Sequence, residues 1–501
     1  MFVPKTINFG IKNMKGYWKM KKRIISVIMC MLLVVLAFAL TSCGGDPVSH
    51  SVKFMNGEEV VYETTFKEGE TELHYSEIPS VPSKEHYEGA WEEYTLGTED
   101  IVVNAVYTPI EYTATFKVGN EVVEEVKFTV ETTALTEPTV PAKDGYIAGW
   151  ADYTLEPKNF TVKAVYYKEI STKEQLKAID DLWGNYRLTA DIDLAGESWT
   201  PLAFYMNDEE VEFCGTFDGN GFKIKNLTIS SMGERATRGY GLFSQNKGTI
   251  KDLGLENVNI SFNVDSSWGI DGFGALAGYN EGKIIDCYAT GSISLTGEAV
   301  DTAGLVGRNA EGSFERCYAA VNVTVNSGYD SVACGGLVGR NSGSVKNCYA
   351  TGNVSVNARN AHAGGLVGEI GGNYAEVVNC YATGNAVANG KYTTAGGLVG
   401  WGYNIKNCFA TGSVSSYASG NANSQAHAGG AVGKTNMSTS DYEKVYSPEG
   451  QSISASDNQN TAPIETVTTA ESLKSAAFLK DTLGFSEEIW TIADGAYPTL
   501  K

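Results

Sequence analysis

The sequence predicts an all-β protein, with two small β modules followed by a parallel β-solenoid that carries short capping helices. Residues 48–166 contain an internal repeat, and a Gly-rich pentapeptide recurs about every 30 residues over much of the rest. Many segments also alternate apolar and polar residues with the period of two that is typical of strands. The chain has 501 residues, 43% of them hydrophobic, which is enough to bury a core.

Composition excludes two classes of protein. The chain has 56 Gly and only 12 Pro without a Gly-X-Y period, which excludes collagen. The net charge is −21. A nucleic-acid-binding protein needs a basic surface that displaces counterions, and none is visible, so we expect no nucleic-acid partner. The acidic balance suits a soluble protein at a cell surface.

The first part of the chain has the pattern of an export signal. The short basic segment Met20–Arg23 precedes an apolar run, Ile24–Leu40, and small residues follow that run. Leu40-Thr41-Ser42-Cys43 resembles the lipobox of bacterial lipoproteins, which implies lipid attachment at Cys43 and cleavage before it. We therefore predict that 1–43 is a signal peptide ending at the lipidated Cys, with Met20 as the true start. The expected protein is exported and held at the membrane of the cell envelope by its lipid. The alternative is an uncleaved signal anchor.

Residues 44–108 and 109–168 form the two predicted acidic modules. Their Trp–Tyr pairs, Trp91 with Tyr94 and Trp150 with Tyr153, lie at one offset, and each module ends in Ala-Val-Tyr. This pattern resembles the Listeria–Bacteroides repeat, also called the internalin B-type repeat. The resemblance implies β-grasp-like modules that act as spacers and sometimes as adhesive units. Both Trp residues are interpreted as core residues, with ligand stacking as the alternative. The modules carry about two-thirds of the net charge of −21, as expected of a self-repelling stalk.

Residues 169–446 contain the predicted solenoid. The recurring pentapeptide is Gly-Gly-Leu-Val-Gly or a close variant, at 303–307, 335–339, 364–368, 396–400 and 429–433. It resembles the GLUG motif, which occurs in bacterial surface proteins that include some IgA-specific metallopeptidases, and which implies a parallel β-helix. Fixed spacing of this size is typical of a solenoid, here of about eight coils.

A cysteine follows most of the pentapeptides. Cys287, Cys317, Cys348, Cys380 and Cys408 are separated by 28 to 32 residues. In the strand that begins at Cys348 the small apolar residues alternate with polar ones, so the thiols are predicted to face the interior. In-register stacking keeps neighbouring Cβ atoms near the strand spacing, which is too far for a disulfide. Free, buried thiols are favoured over disulfides, and no paired spacing indicates a metal site.

An aromatic residue follows each of these cysteines and is predicted to face outward. Together they would form an aromatic stripe composed of Tyr288, Tyr318, Tyr349, Tyr381 and Phe409. The stripe is a candidate platform for an extended ligand such as a glycan, and self-stacking that stabilises the solenoid is the alternative. Another position holds Arg308, Arg340, Glu369, Trp401 and Lys434 in successive repeats. Its variation fits either a tolerant turn or a ligand-specific surface.

Capping segments are predicted at both ends of the solenoid. Ser171–Glu174 has the pattern of a capping box before a short helix at 175–181. Residues 447–501 are interpreted as a loop and a C-terminal cap, with a helix at 469–482, that covers the open end of the solenoid.

The leading functional prediction is a non-catalytic, lipid-anchored surface protein that presents its solenoid for adhesion to a glycan or to a protein of a host or neighbouring cell. The alternatives are a polysaccharide-processing β-helix enzyme and a structural envelope spacer. An enzyme of the first kind needs paired carboxylates, and the nearest candidates are Asp191, Asp193 and Asp218, which are first interpreted as turn residues. The sequence contains no HExxH, GxSxG or P-loop motif, and neither a metal nor a cofactor is expected.

Overall fold

The computed structural model describes residues 48–202, 205–206, 209–232, 238–265, 270–372, 374–419, 424–435, 442–455 and 465–501. The predicted signal peptide and its lipid-attachment residue Cys43 lie outside these ranges. The described residues belong to two compact units. One contains 48–113, 127–135 and 155–158, and the other contains 114–126, 136–154 and the chain from 159 onward.

The first module is a four-stranded sheet with the order β2-β1-β4-β3. Its strands are β1 (Ser49–Asn56), β2 (Glu59–Lys67), β3 (Tyr87–Trp91) and β4 (Ile101–Pro109), and a 3-10 turn lies at Tyr75–Glu77. The central strands β1 and β4 are parallel, and the outer strands are antiparallel to them. Phe54 is fully buried against the edge of the Trp91 ring, with the ring centroids 4.9 Å apart.

The second module repeats this arrangement. Its strands are β5 (Tyr112–Val118), β6 (Glu121–Phe128), β7 (Ile147–Trp150) and β8 (Phe160–Ile170), with β5 parallel and β7 antiparallel to β8. The Phe116 and Trp150 centroids are again 4.9 Å apart. Trp91 Nε1 donates to the Pro79 carbonyl at 2.7 Å, and Trp150 Nε1 donates to the Pro138 carbonyl at 2.7 Å. Equivalent residues therefore make equivalent core contacts in the two modules.

A single-turn helix, α1 (Lys173–Lys177), follows β8. The capping box is formed by Thr172 and Gln175, one residue later than the predicted Ser171 and Glu174, and the helix is shorter than the predicted 175–181. Thr172 Oγ1 accepts from the Gln175 N–H at 3.2 Å, while Gln175 Oε1 accepts from the Thr172 N–H at 3.1 Å. Gln and Glu both suit the N3 position of such a box, so the sequence pattern fits two registers.

The solenoid follows, and it confirms the predicted fold class. Seven successive strands form each of two parallel sheets, A and B, so the solenoid has about seven coils where the sequence predicted eight. Sheet A contains β16 (Gly239–Tyr240), β20 (Gly272–Gly274), β24 (Thr302–Ala303), β28 (Ser331–Gly335), β33 (Asn360–Gly364), β38 (Tyr392–Gly396) and β42 (Gln425–Gly429). Sheet B contains β17 (Phe243–Asn246), β21 (Ala277–Asn280), β25 (Val306–Asn309), β29 (Val338–Asn341), β34 (Val367–Ile370), β39 (Val399–Trp401) and β43 (Val432–Lys434).

The remaining side of the solenoid is a larger parallel sheet, C. Its first coils contain β9 (Asn185–Leu188), β10 (Ile192–Asp193), β13 (Thr216–Asp218), β14 (Lys223–Lys225) and β15 (Thr228–Ile229), with a hairpin formed by β11 (Tyr205–Met206) and β12 (Glu209–Glu210) nearby in sequence. One arm of the sheet then contains β18 (Thr249–Lys251), β22 (Lys283–Ile285), β26 (Ser313–Glu315), β30 (Ser344–Lys346), β35 (Glu376–Val378), β40 (Ile405–Ala410) and β44 (Tyr442–Pro448). The other arm contains β19 (Gly254–Val264), β23 (Tyr288–Gly297), β27 (Tyr318–Ser327), β31 (Tyr349–Ala350), β32 (Val354–Asn357), β36 (Tyr381–Ala382), β37 (Ala386–Gly390), β41 (Val414–Ala418), β45 (Ile453–Ala455) and β46 (Thr466–Thr468).

In the five coils that carry a column cysteine, sheet C bends at the residue directly before that cysteine. These residues have a positive φ of 52° to 54°, and they are Asp286, Arg316, Asn347, Asn379 and Asn407. Asn and Asp adopt this left-handed conformation at low cost because their short side chains bond locally. Arg316 is the exception, and two bonds of 2.7 Å to the Asp286 carboxylate hold its guanidinium. Sequence analysis did not identify this bend.

The glycines of the pentapeptide permit close approach between backbones. A Cβ atom on Gly336 would lie 2.1 Å from the Gly365 carbonyl oxygen of the next coil. A Cβ atom on Gly368, which lies in sheet B, would lie 2.6 Å from the backbone nitrogen of Cys334 in sheet A. Neither position accepts a larger side chain without a backbone shift, which is the physical reason for the Gly-x-x-Gly spacing between the second and fifth residues of the repeat.

A ladder of buried asparagines runs along the end of sheet B. Asn246 donates to Asn280 at 2.7 Å, Asn280 donates to Asn309 at 2.8 Å, and Asn309 donates to Asn341 at 2.7 Å. All four side chains are fully buried. Buried amides are costly unless they are paired, so each rung depends on its neighbours in the coils before and after it.

Replacing Asn309 with Ala should reduce the free energy of unfolding by about 1–3 kcal/mol, because the Asn280 amide and the Asn341 carbonyl oxygen each lose a buried partner. Urea denaturation measures this change. The control is Asn326→Ala, at an exposed position of sheet C, which should change stability little. Equal effects of the two substitutions would contradict an energetic role for the ladder.

Candidate functional site

The predicted aromatic stripe is present as a column of stacked rings on sheet C. Successive ring centroids from Tyr288 to Phe409 lie 4.8 to 4.9 Å apart, with interplanar angles of 2° to 3°. This spacing is that of neighbouring strands, because the parallel register places each aromatic residue directly over the next. The rings are therefore stacked on one another, which is the arrangement that the self-stacking alternative describes.

The C-terminal segment covers part of this column. It contains a 3-10 turn at Ser472–Lys474, a π-helical turn at Phe478–Thr482, and the hairpin β47 (Trp490–Thr491) and β48 (Thr499–Leu500), in place of the predicted helix at 469–482. Leu473, Leu479, Leu483, Phe485 and Trp490 form one buried cluster with Tyr381 and Phe409. The Tyr381 hydroxyl donates to the Pro498 carbonyl oxygen at 2.6 Å.

Two of the five candidate binding residues are therefore buried beneath the protein's own chain. Tyr381 and Phe409 are 2% and 0% exposed, whereas Tyr288, Tyr318 and Tyr349 are half-buried. The C-terminal segment was expected across the open end of the solenoid, but its aromatic side chains pack along the side, where the stacked rings offer a larger apolar surface. The sequence could not show this because the contacts join residues about 100 positions apart.

Substitution of Tyr381 by Ala should reduce the free energy of unfolding by about 3–5 kcal/mol, since a fully buried ring is lost together with the hydrogen bond to the C-terminal segment. Tyr318→Ala is the matched substitution at a half-buried ring and should cost clearly less. Chemical denaturation followed by near-UV circular dichroism measures both. The column would not act as the docking surface of the C-terminal segment if the two variants had equal stability.

The cysteines form a second column inside the solenoid. All seven cysteines of the described ranges are free, and the five predicted interior thiols are buried, which confirms the expectation of unpaired thiols. Burial raises the pKa of Cys287, Cys317, Cys348 and Cys380 well above the ordinary value. These thiols are therefore small apolar core groups and not nucleophiles. A further buried thiol, Cys334, lies in sheet A.

The acidic cluster that was considered for catalysis has structural partners. Asp218 is buried and accepts two bonds from the Arg187 guanidinium, at 2.8 and 3.0 Å. Asp218 Oδ1 also accepts from the Asn220 backbone N–H at 2.8 Å, as expected of a turn residue. Asp191 pairs with Lys225 at 2.7 Å, and Asp193 accepts from Ala195 N–H and Asn226.

A different set of side chains meets along the junction between sheets A and B, which we call the A–B seam. Parallel register places one residue of each coil in a row on sheet A and another in a row on sheet B. The sheet A row contains Asp301, Ala333, His362, Thr394 and His427. The sheet B row contains Arg308, Arg340, Glu369, Trp401 and Lys434. The sequence left the role of this variable sheet B position open. In the structure it forms one wall of a continuous seam.

The first half of the seam is an ion-pair chain. Arg308 bonds Asp271 at 2.9 Å, and Arg340 bonds the buried Asp301 at 2.7 Å. Arg340 also contacts Glu369 of the next coil. Burial raises the pKa of Glu369 in spite of the neighbouring Arg340. Buried carboxylates are stable only when paired, so these residues support one another.

The second half of the seam contains a recess. Its volume is about 240 Å³, and it is lined by Ser331, Asn360, His362, Tyr392, Thr393, Thr394, Trp401, Gln425, His427 and Lys434. His362 is one of these residues, with its ring centroid 5.2 Å from that of Trp401 and its Nδ1 2.8 Å from Thr394 Oγ1. Burial, and then the nearby charges of Arg340 and Lys434, lower the pKa of His362 to about 3. The imidazole is therefore neutral at physiological pH.

Sequence analysis missed the sheet A row. A signal was present, because two of the five histidines in the chain, His362 and His427, follow one another at a two-coil interval. Their shared surface depends on the register of sheet A, which the sequence does not show. Among the described residues no group of three or more His, Cys, Asp or Glu side chains has the geometry of a metal site. Within the same ranges, no helix has the length and apolar character of a membrane span.

The neutral state of His362 makes stability dependent on pH. In the unfolded chain a histidine gains a proton below about pH 6.5, but in the fold it stays neutral down to about pH 3. The unfolded state thus binds more protons in this window, so stability falls as the pH falls. The difference in unfolding free energy between wild type and His362→Gln should shrink by up to about 1.4 kcal/mol per pH unit below pH 6.5.

Urea titrations at several pH values between 7 and 4 check this expectation. Glu369, whose pKa is raised, responds to pH with the opposite sign, but it is present in both proteins and its direct contribution cancels in the comparison. A difference that stays constant over the whole range would show that His362 is not held neutral.

Comparisons with known protein sequences agree with the repeat. Four segments, residues 272–294, 330–355, 359–387 and 392–415, match the GLUG motif. This confirms the predicted motif repeats. The chain is also similar to halomucin of Haloquadratum walsbyi, with 30% identity over 185 residues, which is 33% of this chain. The match spans only 2% of the length of halomucin.

Two solved structures are similar to part of this chain. One is a crystal structure described as a candidate immunoglobulin A1 protease from Bacteroides ovatus, with 23% identity and a TM-score of 0.42, covering 67% of this chain and 92% of that chain. The other is described as IgA1 protease, with 18% identity and a TM-score of 0.45, covering 68% of this chain and 26% of that chain.

Proposed function

We propose that this chain is a non-catalytic surface protein that binds a ligand through its β-solenoid, with adhesion as its role. The observation that carries the proposal is the recess of the A–B seam, where side chains of four successive coils line one concave surface. The binding surface is built on hydrogen-bonded sheets, which hold side chains more rigidly than loops do. A concave site with aromatic walls and a few convergent polar groups is typical of ligand pockets.

The similarity to halomucin and the GLUG repeats support a surface or extracellular location. The proposed anchor is lipid at Cys43, and the ligand is a glycan or a protein of a host or neighbouring cell. The two acidic modules are proposed to be Listeria–Bacteroides repeats that act as spacers. Their matched Trp91 and Trp150 contacts are consistent with a duplicated unit.

The non-catalytic part of the proposal is supported by the partners of the seam carboxylates. Asp301 and Glu369 both contact the Arg340 guanidinium. Glycoside hydrolysis requires one carboxyl group that donates a proton and another that attacks or activates water. The Arg340 guanidinium occupies oxygen atoms of both carboxylates, which suits a structural role.

Binding is tested with the full-length protein in detergent on a glycan array and on intact epithelial and bacterial cells. We expect saturable binding that Trp401→Ala reduces at least tenfold, because this ring forms a wall of the recess. The control Tyr318→Ser removes an aromatic residue of the column and should retain binding. Thermal melts establish that both variants fold.

Absence of binding to every glycan and cell type would overturn the proposal and favour the envelope-spacer alternative. Appearance of new reducing ends or unsaturated sugars in glycans incubated with the protein would instead favour the polysaccharide-processing alternative. Binding that Tyr318→Ser abolishes and Trp401→Ala leaves intact would move the site to the aromatic column.

A further inference from the structure

We propose that the recess of the A–B seam binds a sugar residue that carries a carboxylate, such as a uronic or sialic acid unit of a glycan. This inference rests on the proposed ligand-binding function and specifies its ligand. Three features of the recess support it: one aromatic wall, one cation without a carboxylate partner among the described residues, and a set of neutral hydrogen-bonding groups.

The aromatic wall is Trp401. It is partly exposed at the recess, and the His362 ring supports it at 5.2 Å with an interplanar angle of 44°. The flat apolar face of a pyranose packs well on an indole ring, because both present C–H or π surface with little polarity. Tyr392 adds a second aromatic side chain from sheet A. Buried or half-buried indole rings of this kind provide a large contact area for ligands.

The charge of the recess differs from that of the whole protein. The chain has a net charge of −21, but neither Asp nor Glu is among the residues that line the recess. Lys434 is its one permanently charged lining residue. Within the described ranges no carboxylate lies within ion-pair distance of the Lys434 ammonium, whereas Arg308 and Arg340 of the same row are paired with Asp271 and Asp301. A carboxylate on the ligand would pair with Lys434, as the protein's own carboxylates pair with Arg308 and Arg340.

Most of the other polar lining groups are neutral donors and acceptors. They include the hydroxyl groups of Ser331, Thr393 and Thr394, the amides of Asn360 and Gln425, and the imidazole of His362. The lowered pKa of His362 keeps its imidazole neutral, so it can donate or accept a hydrogen bond. Vicinal hydroxyl groups of a sugar require donors and acceptors of this mixed kind. An acidic peptide requires mainly cations, which the recess lacks apart from Lys434.

The size of the recess limits how much ligand it holds. Pockets for drug-sized ligands have volumes of about 300–1,000 Å³, and this recess has about 240 Å³. It therefore fits one sugar residue, with the rest of a glycan lying along the seam or in solvent. Affinity for a single residue should be weak, in the millimolar range typical of a small, solvent-accessible contact.

The experiment measures the affinity of small probes for the full-length protein in detergent. The methods are saturation-transfer difference NMR and isothermal titration calorimetry. The probes are the methyl glycosides of glucuronic acid, N-acetylneuraminic acid and glucose, together with a hexaglutamate peptide. We expect the two acidic sugars to bind at least tenfold more tightly than methyl glucoside. Their comparison shows which carboxylated sugar the recess prefers.

Variants locate the site. Lys434→Gln should weaken the binding of both acidic sugars at least tenfold and leave the binding of methyl glucoside unchanged, because it removes only the cation. Trp401→Ala should weaken the binding of all three sugars. The matched controls Lys283→Gln and Trp183→Ala alter exposed residues elsewhere and should leave binding unchanged. Circular dichroism melts check that every variant is folded.

Several outcomes would overturn the inference while leaving the proposed function intact. Equal affinity for acidic and neutral sugars, or no loss with Lys434→Gln, would show that charge does not determine the ligand. Binding of hexaglutamate that depends on Lys434, without sugar binding, would indicate a protein ligand. If none of these probes binds but Trp401→Ala abolishes binding on the glycan array, the recess is a site for another class of glycan.

Discussion

Parallel, in-register hydrogen bonding between successive coils is the constraint on which the rest of the solenoid depends. It places each residue directly over the residue one repeat later, so identical side chains form columns with the spacing of neighbouring strands. The tyrosine rings stack at 4.8 to 4.9 Å, and the asparagine ladder bonds from coil to coil. A slip of one residue would exchange the interior and exterior sets on every strand, which is why the interior positions repeat so closely.

The same register explains why side chains on the exterior of the seam can vary between coils. Interior columns must keep small or matched residues, because glycines such as Gly336 approach the next coil too closely for a side chain. The two rows of the A–B seam point away from this core and are free to vary from coil to coil. One row changes from Arg340 to Glu369, Trp401 and Lys434 without any change in backbone register. The solenoid thus supplies a fixed scaffold on which each coil contributes one adjustable side chain to each wall.

The charges of the seam show how this freedom is limited. Asp301 and Glu369 are largely buried, and each requires the Arg340 guanidinium as a partner. His362 lies in the same environment and is neutral because burial penalises its charged form. Only toward the last coil does the seam present a cation without a carboxylate partner among the described residues. That asymmetry separates the recess from the ion-pair chain that precedes it.

The sequence by itself determined the class of the fold, the repeat and the inward position of the cysteines. Each of these depends on local periodicity, so neighbouring residues carry the information. Tertiary structure decided which exterior side chains meet. The burial of Tyr381 and Phe409 beneath Trp490, and the meeting of His362 with Trp401, join residues that are distant in sequence or lie on different sheets. The A–B seam exists only after two sheets have folded against each other in register. The repeat pattern defines the order of the side chains within each row, but it does not show which two rows lie next to each other.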